Sequence, residues 1–140
     1  MSYSAVVLDE ASQQKLKDFA LDADTNVKVN SIRLPILVRD NGWKVFCHHM
    51  TINMGGLPEH LKSYLDSDQK LEAFAIGVSD KAVAVKVMGT MAGHSKNAIP
   101  HITIAVNVKG GGKPVDSNKI TSWFKMEKPI KLSGIVKELP

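Results

Sequence analysis

Twice the chain writes the same short pattern. His49-Met50-Thr51-Ile52 is echoed by His101-Ile102-Thr103-Ile104, each inside a β-favouring apolar run. Strand side chains alternate in direction, so His49 and Thr51 point one way while Met50 and Ile52 point the other. The same holds for His101 and Thr103 against Ile102 and Ile104. Such a segment has one face to bury and one face with an imidazole and a hydroxyl. Two of them in one small domain require a sheet that buries both apolar faces, with the two polar faces meeting in one cleft. By the same alternation, His48 is expected to point away from that cleft.

The rest of the chain supplies more strands than helices. Ala5–Leu8 is predicted as a first strand. Asp9–Asp22 has Leu16, Phe19 and Ala20 on one face and reads as a helix, capped by Ser12 or Asp9. Val27–Val38 alternates apolar residues, but Pro35 inside the run restricts it to an edge strand or a bulged loop. Asp40-Asn41-Gly42 is a turn. Pro58–Leu65 suits a short helix with proline at its start. Gln69–Val78 and Ala82–Met88 form a hairpin around Ser79-Asp80-Lys81, and Gly89–Asn97 is a loop. Gly110-Gly111-Gly112-Lys113-Pro114 reads as a flexible loop. A helix capped at Asp116-Ser117-Asn118 is expected to run to about Phe124, burying Ile120 with Trp123 or Phe124. Lys131–Leu139 is the last strand. Six or seven strands with two or three helices make an α+β fold, and 140 residues without a linker make residues 1–140 a single domain.

Composition narrows the partners. The net charge of +4 inclines the protein toward anions, phosphates and nucleic acids among them. No apolar run approaches the roughly 20 residues of a membrane span, and no partner in a membrane is expected. The N-terminus has no basic-then-apolar leader, and the single cysteine, Cys47, has no internal disulfide partner. A cytoplasmic setting is the expectation from both.

Paired imidazoles suit acid and base duty near neutral pH, and hydroxyls beside them suit phosphate oxygens. Metal binding is the rival use. His48, His49, His94 and His101 number enough ligands, but His48 and His49 are expected on opposite faces and no carboxylate stands at ligand spacing. The glycine run fails the phosphate-loop pattern, because Pro114 follows Lys113. Lys113 remains a candidate contact for a substrate phosphate. Trp43 is a candidate stacking surface for a base, whereas Trp123 is expected to be core. His60 and His94 are expected in solvent.

The two motifs resemble the signature of the 2H phosphoesterase superfamily, two His-apolar-Thr/Ser-apolar segments. Its members include RNA ligase-like and cyclic phosphodiesterases and phage-encoded nucleases that destroy cyclic oligonucleotide alarms, an anti-CBASS activity. The flanking Asn53-Met54-Gly55 and Gly112-Lys113-Pro114-Val115-Asp116-Ser117-Asn118 are most similar to small phage and bacterial members. The resemblance implies a bilobal fold, two antiparallel sheets forming a central cleft with flanking helices. It implies His49 and His101 as the acid/base pair, in either order, Thr51 and Thr103 as phosphate-binding hydroxyls, and no metal or cofactor. The implied activity is hydrolysis of a small ribonucleotide, a cyclic oligonucleotide signal first. Processing of RNA ends with 2′,3′-cyclic phosphates, or of 2′–5′ linkages, comes next. A nucleotide-sequestering protein without catalysis is the alternative of another class.

Overall fold

The computed structural model describes residues 2–140. Nine strands form in chain order: β1 (Tyr3–Leu8), β2 (Lys28–Val29), β3 (Ile32–Arg33), β4 (Lys44–Val45), β5 (His49–Asn53), β6 (Asp68–Val78), β7 (Ala82–Met88), β8 (His101–Val106) and β9 (Ser122–Leu139). Two α-helices, α1 (Glu10–Leu21) and α2 (Leu34–Asp40), precede β4. Three short 3₁₀ turns cover Glu59–Tyr64, Ala92–His94 and Pro114–Lys119.

The sheet closes on itself. Its antiparallel neighbours run β8–β5–β1–β9–β6–β7, and β7 pairs back onto β8. The result is a six-stranded antiparallel barrel, with β4 paired beside β8 in line with β5. The fold is α+β and dominated by strands. The sheet is continuous because β1 pairs with β5 on one edge and β9 on the other. Closure removes open edges, which a flat sheet of alternating strands leaves for aggregation.

The barrel interior takes the apolar half of each alternation. Val6, Met50, Ile52, Leu71, Val83, Val85, Ile102, Ile104, Leu132 and Val136 join one core. Leu16 and Ala20 of α1 and Leu34 and Leu37 of α2 extend that core. The Asp9 carboxylate caps α1 by accepting the Ser12 N–H at 2.7 Å, and this contact holds the carboxyl below its ordinary range. Among the described residues, no helix is long and apolar enough to cross a membrane.

Four elements differ from expectation. Val27–Val38 is not one strand. Asn30 and Ser31 both have positive φ, 50° and 69°, which turns β2 tightly into β3. Pro35 then sits in the first turn of α2, where a missing N–H costs nothing. The helix expected through Phe124 stops as a 3₁₀ turn at Lys119, and Trp123 and Phe124 lie on β9. Ile120 and Trp123 do pack together, but across a turn-to-strand junction: the indole N–H donates to the Ile120 carbonyl at 3.2 Å. The last strand therefore begins at Ser122, not Lys131. It passes Pro129 in a bulge, since residues 126–129 lie between the pairs Ala75–Lys125 and Ala73–Ile130. Proline is tolerated there because a bulge residue needs no ladder N–H. Pro58–Leu65 is likewise a 3₁₀ turn.

Candidate functional site

Met50 pairs with Ile102, so the two motif strands are hydrogen-bonded neighbours. Antiparallel register carries His49 toward Thr103 and Thr51 toward His101. With Met50, Ile52, Ile102 and Ile104 fully buried in the core, the four polar side chains face the barrel's outer wall. They line a cavity of about 280 Å³. Its rim is apolar and aromatic, from Tyr3, Phe46, Met54, Pro114 and Val115, and its polar floor also includes His48, Asn97, Ser117 and Asn118. Among the described residues, no Lys, Arg, Asp or Glu lines it.

Each histidine is held differently. The His101 ring is buried, at 6% exposure. Its Nδ1 lies 2.6 Å from the Ile99 carbonyl, which only accepts, so Nδ1 carries the proton. In the neutral ring Nε2 is then a lone pair, and it meets the Ser117 hydroxyl at 2.9 Å. Thr103 Oγ1 donates to the same Ser117 oxygen at 3.0 Å, and the one Ser117 O–H, also 2.8 Å from the Pro114 carbonyl, is shared between that carbonyl and His101 Nε2. Burial pushes His101 below its ordinary value, opposed by the Ile99 hydrogen bond.

His49 is half-buried, and its Nδ1 lies 3.0 Å from Nδ1 of His48. The Tyr3 ring lies tilted at 5.1 Å from it. Burial first, then the neighbouring His48 and His101, pushes His49 down to about 4. Thr51 accepts from Ser95 through its carbonyl at 2.8 Å, which leaves its hydroxyl to the cavity.

His48 is the residue that strand alternation misplaced. Between the pairs Val45–Ala105 and Met50–Ile102, five steps on one strand face three on the other. The two extra residues bulge out at Cys47, whose φ is +53°. The bulge turns both His48 and His49 into the cavity. Cys47 itself points into the core, and burial pushes its thiol up to about 12, so it is inert as a nucleophile.

Two candidates fall outside the site. Trp43 is buried in the main core at 5% exposure, so it offers no face for stacking. Lys113 is exposed and does not line the cavity; its N–H donates to the Asp116 carboxylate at 2.8 Å. The glycine run before it is a hydrogen-bonded turn. Gly112 donates to the Asn107 carbonyl at 2.7 Å, and a Cβ there would sit 2.8 Å from that oxygen. His60 and His94 are exposed, as expected. Among the described residues, no three His, Cys, Asp or Glu side chains converge on a point where a metal ion would sit.

Ser117, Asn97 and Asn118 were not legible as site residues. Ser117 and Asn118 reach the cavity because the Pro114–Lys119 turn folds over β8, and Asn97 reaches it from the loop that leads into β8. Lys113-Pro114, which sets proline at the start of that turn, is the one local signal that the chain folds back there. No family model matches the chain, and no curated protein is similar to it at a significant level.

Proposed function

We propose that this protein is a metal-independent phosphodiesterase of the 2H type that cleaves a small ribonucleotide, a cyclic oligonucleotide first among the candidates. The observation that carries the reading is the convergence of His49, Thr51, His101 and Thr103, from two neighbouring strands, on one cavity. On this reading the single ladder pair between β5 and β8 is the seam between the two lobes of that fold. A cavity of about 280 Å³ lies at the small end of ordinary ligand sites. It fits the reacting diester with part of one nucleoside, and a larger ring is held by its edge.

The roles follow from how each ring is held. His101 keeps its proton on Nδ1 against Ile99, so Nε2 is the base. A substrate hydroxyl replaces Ser117 as its partner and gives up its proton there. His49 protonates the leaving oxygen from the opposite side, and the Thr51 and Thr103 hydroxyls hold the phosphoryl oxygens as charge builds.

The test is incubation with cyclic di- and trinucleotides, 2′,3′-cyclic mononucleotides and 2′–5′ oligoadenylate in excess EDTA, with products identified by mass. Cleavage of a ribonucleotide and resistance of its 2′-deoxy analogue are expected. Loss in chelator with rescue by zinc overturns the metal-free mechanism. The second reading, a nucleotide-sequestering protein, draws on the Ser117 hydroxyl already occupying His101 Nε2. Tight binding of a panel member without turnover establishes it.

A further inference from the structure

The acid of the proposed reaction is poorly equipped to act alone. His49 is half-buried, and a positive charge on it would sit beside two other imidazoles in a cavity without a carboxylate. Its neighbour is differently placed. His48 is exposed to solvent, yet its ring stands edge-on to His49, 5.2 Å between centroids and 81° between planes. The two Nδ1 atoms, 3.0 Å apart, hold one proton between them. That contact uses Nδ1 of His49 and leaves Nε2 for a ligand.

The titratable groups around this pair are few. β1 contributes Tyr3, the β4–β5 bulge contributes the two histidines, and β8 contributes His101. The Pro114–Lys119 turn presents Pro114, Val115, Ser117 and Asn118, none of which titrates. A cation on this pair is therefore favoured on the ring that water reaches.

We propose that His48 is the positioning and proton-supplying partner of His49: as a solvent-exposed cation it donates Nδ1–H to His49 Nδ1, which fixes the proton of a neutral His49 on Nε2, facing the leaving oxygen. This rests on the phosphodiesterase reading above. As the substrate hydroxyl attacks phosphorus, its proton passes to His101 Nε2 and a new P–O bond forms. As the old P–O bond breaks, the leaving oxygen takes the Nε2 proton of His49. The Nδ1 proton of His48 then moves to His49 Nδ1. His49 is neutral before and after, and the positive charge has passed from His48 to His101. To reset, His49 Nε2 takes a proton from solvent as its Nδ1 proton returns to His48, and His101 Nε2 gives its proton up. No imidazolium at His49 is needed while the P–O bond breaks.

The test separates this relay from the reaction it serves. In the ¹⁵N-histidine-labelled protein without substrate, lowering pH from about 8 to about 5 spans the imidazole range. His49 is expected to stay neutral with its proton on Nε2 and its Nδ1 accepting from His48 Nδ1. In His48→Ala this fixed tautomer of His49 is expected to be lost. An imidazolium at His49 before His48, or a neutral His49 protonated on Nδ1 while His48 is cationic, overturns the relay. Kinetically, His48→Gln keeps a hydrogen-bond donor at an exposed position but has no transferable proton. Its kcat is expected to fall roughly 10- to 100-fold with KM within about twofold. Wild-type kcat in His48→Gln overturns the relay. Because the spectra need no substrate, absence of turnover across the whole panel counts against the phosphodiesterase, and a wrong tautomer counts against the relay.

Discussion

The two histidines share a four-residue motif and little else. His101 is locked: one nitrogen on a backbone carbonyl, the other on Ser117, the ring almost wholly buried. His49 is tied to another imidazole, an exchangeable partner that either donates or accepts. A carbonyl imposes one tautomer, whereas an imidazole allows two. The difference teaches that motif identity does not make the histidines equivalent. On the proposed function, that difference in environment is what makes His101 the base and His49 the acid.

The largest expected effect is loss of either ring. His101→Ala and His49→Ala each lower kcat by about 100-fold or more, read as initial rates on the substrate that the panel identifies. Near-wild-type rates in both variants would make them core histidines and dissolve the comparison. Ser117→Ala acts on the locked side only. It leaves His101 Nε2 and Thr103 Oγ1 without their shared partner. A loss of about tenfold in kcat/KM and ~1–2 kcal/mol in unfolding free energy is expected. Unchanged values would show that Ser117 is incidental to how His101 is held.

Acid stability sharpens the contrast without any substrate. Both rings are held below the ordinary imidazole value of 6.5, chiefly by burial, His49 down to about 4. The unfolded chain takes up protons first, near 6.5, and the folded His49 only near 4. Stability from His49 is therefore complete above 6.5, is lost progressively as pH falls toward 4, and changes no further below that. The urea midpoint is expected to drop from about pH 7 to about pH 5, and His49→Asn to shrink that drop. An equal drop in His49→Asn would mean that the acid sensitivity resides elsewhere. The smallest effect belongs to Lys113→Ala, expected within about twofold in turnover because its side chain lies outside the cavity. A larger loss would bring the Pro114–Lys119 turn's leading residue into the site after all.

Much of this was legible because strands alternate. Met50, Ile52, Ile102 and Ile104 declare a buried face, so the opposite face of His49, Thr51, His101 and Thr103 follows from period two. The α1 helix and its cap were legible for the same local reason. What failed was nonlocal or broke the period. His48 entered the cavity through a two-residue slip at Cys47, and a register slip is invisible until the partner strand is known. Trp43 follows a turn, and only the tertiary fold decides that it is buried. Pro35 is compatible with both a strand edge and a first helical turn, and the adjacent Asn30-Ser31 turn decided between them. Barrel closure depends on β1 choosing two partners, β5 and β9, the second nearly the whole chain away from it.

That last pairing has a kinetic consequence. Tyr3 lies opposite Leu139, and the strand carrying Tyr3 is wedged between an early strand and the final one. The barrel has no complete wall until residues 122–139 pair with β1 and β6. Contacts this distant in sequence form slowly. Because Tyr3 also rims the cavity, the pocket's edge is set at the joint made last. The cross-strand pair of Tyr3 and Leu139 also makes a short linker between the ends, with new termini at the Ser79–Lys81 hairpin, a natural cut for a circular permutant.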